Sequence, residues 1–261
     1  MNLKEEGNSI KFLGTAGARF VVAKQLRSSA GVFIKMKAQN IILDPGPGTL
    51  VRCASAKPKI EVTALNAIIL THSHLDHSND VNVLIDAVTE GGLKKRCVIF
   101  APRECLEGED KVVLNYLKNS LEKVVVLEED KDYKLGELKF STSVRHLHPV
   151  ETYGLKFNLD GKIISFMVDT KYFPELLESY RNSDILIMNV VRAIPHKDEK
   201  VMHLNVDNVK EILAKIKPEK AILTHFGMTM LKAKPWEVAK KLSEELKLEV
   251  VAASDGMEVI L

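Results

Sequence analysis

The sequence predicts a mixed fold of the α/β or α+β class, and three observations carry that prediction. Short runs of β-branched and apolar residues recur along the whole chain. Stretches with helical apolar spacing interrupt them. No low-complexity linker and no repeat of fixed period divides the sequence. The 261 residues are 46% hydrophobic and 28% charged, the composition of a folded chain. That length suits one large domain or two small ones.

The elements follow in order. Strands are expected over 10–13, 32–36 and 41–44. The last runs into Asp44-Pro45-Gly46-Pro47-Gly48, where Pro and Gly force a rigid turn. Ala67-Ile68-Ile69-Leu70 reads as a buried strand. Val81, Leu84, Ile85 and Val88 then repeat at helical spacing, with Asn79 or Asp80 as the cap. Strands at 97–100 and 123–127 flank a helix suggested by Val113, Tyr116 and Leu117. Three more strands, at 138–145, 153–157 and 162–168, include a hairpin around Asp160-Gly161. A strand over 185–191 precedes a helix that carries Val209, Ile212, Leu213 and Ile216. Asn205 or Asp207 caps that helix, and Pro218 stops it. After a strand at 221–224, the last helix starts near Pro235, a good first-turn residue. It buries Val238, Ala239, Leu242 and Leu246. Strands at 248–252 and 257–261 close the chain.

Composition narrows the function classes. A net charge of +2 implies no strong pull toward nucleic acid or membrane, though a local basic patch stays open. No apolar run approaches the roughly 20 residues of a membrane span. The start, Met1-Asn2-Leu3-Lys4-Glu5-Glu6, is polar and lacks a signal-peptide core. Cys53, Cys97 and Cys105 are odd in number and lack zinc-ribbon spacing, so they read as reduced thiols in a cytoplasmic protein. Glutamine occurs only at Gln25 and Gln39 while Lys and Glu abound, which leans toward a thermophilic source.

The densest chemical signal is Thr71-His72-Ser73-His74-Leu75-Asp76-His77, directly after the apolar run 67–70. Imidazole suits zinc, iron and manganese, and a carboxylate beside it suits a hydrolytic, often two-metal, site. His72 and His74 alternate as strand-end residues do, so both rings can face one side. Asp76 and His77 begin the next turn and can reach a second ion. Asp169 ends the apolar strand Ile163-Ile164-Ser165-Phe166-Met167-Val168, where an ionised carboxylate needs compensation. A metal pair would supply it; the alternative is a turn or helix cap. His225 follows Ala221-Ile222-Leu223-Thr224, again at a strand end. No Ser-His or Cys-His nucleophile signature appears.

The pattern H-x-H-x-D-H after a buried strand resembles the signature of the metallo-β-lactamase superfamily. That resemblance implies that residues 1–261 form a single domain, a four-layer αββα sandwich: two mixed sheets face each other, helices cover both outer faces, and metals lie at one edge. It also implies a ligand set. In Arg145-His146-Leu147-His148-Pro149, His148 rather than His146 matches the family's ligand. His146, two residues earlier and on the same side of a strand, stays the runner-up. One divalent ion would take His72, His74 and His148, and the other Asp76, His77 and His225. Asp169 would bridge them, with a hydroxide between the ions formed from water of lowered pKa. Zinc is the expected metal, with manganese or iron as alternatives. Asp44 matches the family's first motif, which implies that it orients a ligand histidine; a simple turn role is the alternative.

Three features resemble the phosphodiesterase branch, which includes ribonuclease Z. They are Phe12-Leu13-Gly14-Thr15-Ala16-Gly17 with Arg27-Ser28-Ser29, His203 in His203-Leu204-Asn205, and the ending Ala253-Ser254-Asp255-Gly256. The resemblance gives catalytic roles to Asp76 and His203, the latter over the scissile phosphate. Two departures count against tRNA processing. Residues 149–168 alone separate His148 from Asp169, leaving room for a hairpin but not for a tRNA-clamping arm. The segment Met188-Asn189-Val190-Val191-Arg192 also lacks the family's glutamate. Small or cyclic phosphodiesters therefore fit better, with Arg27, Arg192, His196 and Lys197 as candidate phosphate contacts. A glyoxalase-type thioester or lactone hydrolase, a single-strand nuclease and a non-enzymatic metal-stabilised binder remain as alternatives. A di-iron oxygen or electron handler fits less well, because those relatives usually carry Glu where His74 stands. The family also suggests a homodimer.

Overall fold

The computed structural model describes residues 7–198 and 200–261. The polar run at 1–6, read as lacking a signal-peptide core, lies outside them. The first half of the chain runs β1 (Ser9–Phe12), α1 (Ala18–Ala23), β2 (Val32–Met36), β3 (Gln39–Leu43), α2 (Thr49–Ser55), β4 (Ala67–Ile69), α3 (Leu75–Ser78), α4 (Val81–Val88), β5 (Val98–Pro102), α5 (Arg103–Leu106), α6 (Asn115–Lys118) and β6 (Lys123–Leu127). The second half runs β7 (Asp132–Leu135), β8 (Leu138–Arg145), β9 (Tyr153–Leu159), β10 (Lys162–Met167), α7 (Glu175–Tyr180), β11 (Ile185–Asn189), α8 (Val206–Ile216), β12 (Lys220–Thr224), α9 (Met228–Lys232), α10 (Pro235–Leu246), β13 (Glu249–Ala252) and β14 (Glu258–Ile260).

Two seven-stranded sheets result, ordered β14-β1-β2-β3-β4-β5-β6 and β13-β12-β11-β10-β9-β8-β7. Each is mixed. In the first, β14, β1, β2 and β3 pair antiparallel and β3 to β6 parallel. In the second, β7 to β10 pair antiparallel and β10 to β13 parallel. The core explains the layering. One apolar cluster draws on both sheets, with Phe12, Ile34, Ile41 and Ile69 facing Phe157, Phe166, Ile187 and Ile222. A second lies outside the first sheet under Leu84, Ile85 and Val88 of α4. A third lies outside the second sheet under Leu176, Ile212, Leu213, Ala239 and Leu242. Strands buried on both faces read as continuous apolar runs, which is why β3, β4, β10 and β12 are conspicuous in the sequence.

Local signals account for most elements. Asn205 caps α8 through a reciprocal box, its side chain accepting from Asp207 and Asn208 N–H while the Asn208 side chain accepts from Asn205 N–H. Asp80 stands at the start of α4 but makes no side-chain cap; its carboxylate accepts from Leu50 N–H instead. Pro235 opens α10 as expected. The β9–β10 hairpin turns at Asp160 and Gly161, both at positive φ. The helix suggested by Val113, Tyr116 and Leu117 is only the short α6, and Val113 packs just before it. The edge strand β7 and the short helices α1 and α7 lie outside the elements expected from the sequence.

The parallel strands β3, β4, β10, β11 and β12 all end at the same edge of the sandwich. Ligands in open parallel sheets bind beyond such carboxyl ends. Tyr153 N–H donates to Thr71 O at 3.2 Å, which joins the two sheets at that edge.

Candidate metal centre

Five strand ends and one loop bring the candidate side chains together. After β3 the chain turns at Asp44, which adopts a positive φ of 50°. Its carboxylate accepts from Thr71 N–H and Thr71 Oγ1–H, both at 2.7 Å, and lies 2.9 Å from His77 Nδ1. Asp44 thus ties the loop after β4 into place and fixes one face of the His77 ring. His72 packs against His74 and His77, with ring centroids 4.9 and 4.1 Å away.

Two sets of donors emerge. His72, His74 and His148 offer ligand atoms within 4.8 Å of one another, and so do Asp76, His77 and His225. His148 Nε2 lies 3.0 Å from His74 Nδ1, and His148 Nδ1 lies 3.2 Å from Met202 O. Asp169 sits between the sets. One of its oxygens is 3.4 Å from His225 Nε2, and the other is 3.7 Å from His77 Nε2 and 3.6 Å from His203 Nδ1. Asp76 is 3.5 Å from His225 Nε2. A third grouping, Asp44 with His72 and His77, reflects the ring-orienting contact already described. Among the described residues, the buried side-chain N and O atoms without a hydrogen-bond partner are His72 Nε2, His77 Nε2, His203 Nδ1 and His225 Nε2. All four belong to this one cluster. Orphaned buried polar atoms are costly and rare, so the donor set fits divalent cations.

The electrostatics point the same way. Burial pushes His72 well below the usual imidazole value, and nearby His77 adds to the effect. Burial also lowers His74 and His148. The neutral ring is the ligating form. For His77, burial is outweighed by Asp44, Asp76 and Asp169, which hold it well above its ordinary value. Burial works to raise Asp169, but His225 and His203 keep it well below the carboxylate range. Asp76 is likewise lowered by His77 and His225 against burial. Two ionised carboxylates in a buried pocket attract whatever cation is offered, a proton on His77 or a metal.

The structure separates His146 from His148. Beyond Arg145 the chain has left β8, so the two rings do not share a strand face as the sequence reading assumed. His146 is fully buried, with Nε2 2.9 Å from the Tyr180 hydroxyl and Nδ1 3.2 Å from Asp169 O. His203 reaches the cluster. Of the candidate phosphate contacts, Arg27 donates to Thr15 Oγ1 and stacks 5.9 Å from the Phe226 ring centroid. Arg192 donates to Ile194 O, and His196 and Lys197 are exposed on the same loop. Sequence reasoning missed Asn189, whose amide donates to Asp169 Oδ1 at 2.8 Å. It ends the apolar run of β11, so the pattern that flagged Asp169 and His225 could have found it.

Comparison with known proteins agrees with this geometry. The family described as "Beta-lactamase superfamily domain" matches residues 39–226. Uncharacterized protein MJ1374 of Methanocaldococcus jannaschii is 31% identical over 261 residues, covering 97% of this chain and 94% of that protein. Ribonuclease Z of Borrelia garinii subsp. bavariensis is 23% identical over 316 residues, covering 97% of each. Among solved structures, the metallo-beta-lactamase fold protein YhfI from Bacillus subtilis superposes with a TM-score of 0.80 at 18% identity, covering 97% of this chain and 99% of that one. With its sandwich and its edge cluster of histidines and aspartates, this chain belongs to the metallo-β-lactamase superfamily.

Proposed function

We propose that the protein is a metal-dependent hydrolase that cleaves small or cyclic phosphodiesters. The observation that carries this reading is the convergence of orphaned imidazole nitrogens from His72, His77, His203 and His225 with Asp76 and Asp169. Such atoms cost about 1–3 kcal/mol each when left unpaired, and two divalent ions would pair those of the ligand histidines. His72, His74 and His148 would hold one ion and Asp76, His77 and His225 the other, with Asp169 between them. Zinc suits imidazole and carboxylate donors, as do manganese and iron. Divalent ions held there would lower the pKa of a bound water and would offset charge on the phosphoryl oxygens.

The chain's own residues do the rest. Asp44 and Asn189 fix His77 and Asp169, so the donors need no rearrangement. His203 lies beside Asp169 and outside the two donor groups, with a fifth of its side chain exposed. Its ring is placed to hydrogen-bond a phosphoryl oxygen or to protonate the leaving alkoxide. That side chain favours a phosphodiester over a thioester or lactone, which does not need it. A ribonuclease Z-like activity is the second reading, supported by the likeness to proteins of that name. Against it, residues 149–168 hold only β9, its turn and β10 beyond the ligand loop.

The test is hydrolysis of bis(p-nitrophenyl) phosphate by protein reconstituted with Mn²⁺ or Zn²⁺. Turnover should require metal and vanish in Asp169→Ala. His203→Ala should lose roughly 10²-fold while still binding metal. Protein that binds two ions yet turns over thioesters or lactones instead would overturn the reading. Tight, salt-sensitive binding of oligonucleotides would favour the nuclease.

A further inference from the structure

Two buried ionisable side chains next to the centre take no part in the chemistry proposed above, His146 and Tyr180. Tyr180 ends α7, and its hydroxyl reaches across β9 to the loop that follows β8. It passes where Gly154 leaves room, since a Cβ there would come within 1.7 Å of it. The His146 ring stands between that hydroxyl and the Asp169 main chain, with Nε2 2.9 Å from Tyr180 Oη and Nδ1 3.2 Å from Asp169 O.

The chemistry of the two partners fixes the protons. A carbonyl oxygen only accepts, so Nδ1 carries the hydrogen. The ring is neutral: its partners are a carbonyl and a phenol, and burial pushes it down to about 4. Nε2 is then a bare acceptor, and the Tyr180 hydroxyl donates to it. One ordered chain results, from Tyr180 Oη–H to His146 Nε2 and from His146 Nδ1–H to Asp169 O. The backbone adds to it. His146 N–H donates to Thr152 O at 2.9 Å and closes the base of the loop that carries His148. Lys171 N–H donates to Leu147 O at 2.9 Å, so the Asp169 and His148 loops lie side by side. Asn189 holds Asp169 by its carboxylate, 2.8 Å from Oδ1, and the His146 ring holds the same residue by its carbonyl.

We infer that His146 is a positioning residue: it sets the Asp169 main chain, and with it the aim of the Asp169 carboxylate at His77 and His225, while Tyr180 selects the tautomer that does so. This rests on the metal-dependent hydrolase reading. An apolar side chain of similar bulk would remove the donor from the Asp169 carbonyl and free the turn after β10 to shift. The Tyr180 hydroxyl has a second acceptor, Phe166 O at 3.3 Å, so the loss would fall on Asp169. Such a shift alters the donor geometry without removing a donor. Outer partners of metal ligands typically carry about 10–100-fold in affinity or activity.

Metal-free protein gives the first readout. Long-range proton–nitrogen NMR correlations should place the His146 proton on Nδ1, in signals that disappear from the spectrum of His146→Asn. A proton on Nε2 would overturn the inference. Two variants give the second readout. His146→Leu keeps the bulk and offers no donor, and His146→Asn places an amide N–H near the position of Nδ1. With Co²⁺ as the probe, His146→Leu should bind about 10–100-fold more weakly in competition with a chelator and shift the visible bands of the bound ion. His146→Asn should return both toward the parent. On bis(p-nitrophenyl) phosphate at saturating Mn²⁺ or Zn²⁺, His146→Leu should lose at least about tenfold in kcat, with KM changed less than about threefold. His146→Asn should regain most of that loss. A leucine variant that melts earlier yet keeps the parent's cobalt bands and affinity would reduce His146 to a structural role and overturn the inference. So would an asparagine variant as impaired as the leucine one. If His146→Leu does not fold, the tautomer alone decides. If no diester is cleaved but the cobalt results hold, His146 keeps its role and the phosphodiesterase reading falls.

Discussion

At the scale of single residues, the site depends as much on the groups that aim the ligands as on the ligands themselves. Asp44 serves three donors at once, two on Thr71 and one on His77. Asparagine tolerates the positive φ at this position but brings an amide that can point its NH₂ at His77. Asp44→Asn should therefore keep the fold and weaken metal binding by about 10–100-fold, as loss of an outer partner typically does. Competition with a coloured chelator measures it, and unchanged affinity would remove Asp44 from the centre. Gly17 makes a complementary case. A Cβ there would meet the His225 carbonyl oxygen at 2.3 Å and a His225 ring carbon at 2.5 Å. Gly17→Ala removes no donor yet must displace His225, so it should also lower metal affinity, with little change in far-UV circular dichroism. The candidate ligands His72, His74, Asp76, His77, Asp169 and His225 were legible because each sits at or just beyond an apolar strand end. The choice between His146 and His148 was not legible from spacing, since it depends on where β8 stops. Asn189 and Thr71 passed unnoticed because an amide or hydroxyl at a strand end has many uses.

At the scale of elements, the strands buried on both faces were legible, and the half-exposed pieces were not. β7 carries Asp132 and Lys134 among its four residues at a sheet edge. Its only apolar signal is Tyr133 and Leu135, too short a pattern to stand out. α1 and α7 are six residues each, and tertiary contact rather than helical spacing sustains them. A clip between distant elements was equally hidden. Asp255, in the turn between β13 and β14, accepts from Thr15 Oγ1–H and Ser28 N–H, both at 2.7 Å. Thr15 O in turn accepts from Phe226 N–H, next to His225. The carboxylate thus pins two loops of the first sheet against the last ligand turn. Asp255→Ala should destabilise by about 2 kcal/mol, the usual loss for hydrogen bonds to a charged group. Urea unfolding measures it, and an unshifted midpoint would mean the clip bears no load. The β9–β10 turn gives an independent check. Gly161, at φ 93°, should cost about 1 kcal/mol when changed to Ala, because only glycine accepts that conformation freely.

At the scale of the whole molecule, the two sheets are joined in two different ways. Through the middle they share one apolar cluster that needs no ion. At the ligand edge they meet through side chains of opposite origin: His72, His74, Asp76 and His77 follow β4 of the first sheet, and His148, Asp169 and His225 come from the second. Any ion held by both groups is a cross-link between the sheets. Binding to the folded state alone stabilises by about 2.7 kcal/mol at a free concentration of 100 times Kd. For a chain of this size that raises Tm by roughly 5–10 °C. Chelation should therefore lower Tm by that order, and added Zn²⁺ or Mn²⁺ should restore it in proportion to the logarithm of its concentration. The apolar cluster and the Tyr153–Thr71 hydrogen bond survive chelation, so the chelated protein should keep its far-UV spectrum and a cooperative transition. Asp169→Ala, which removes the buried carboxylate beside His77 and His225, should respond to added metal much less than the parent. If the parent melts at the same temperature with and without ions, the donors do not span the sheets through metal, and the edge is held by protein contacts alone.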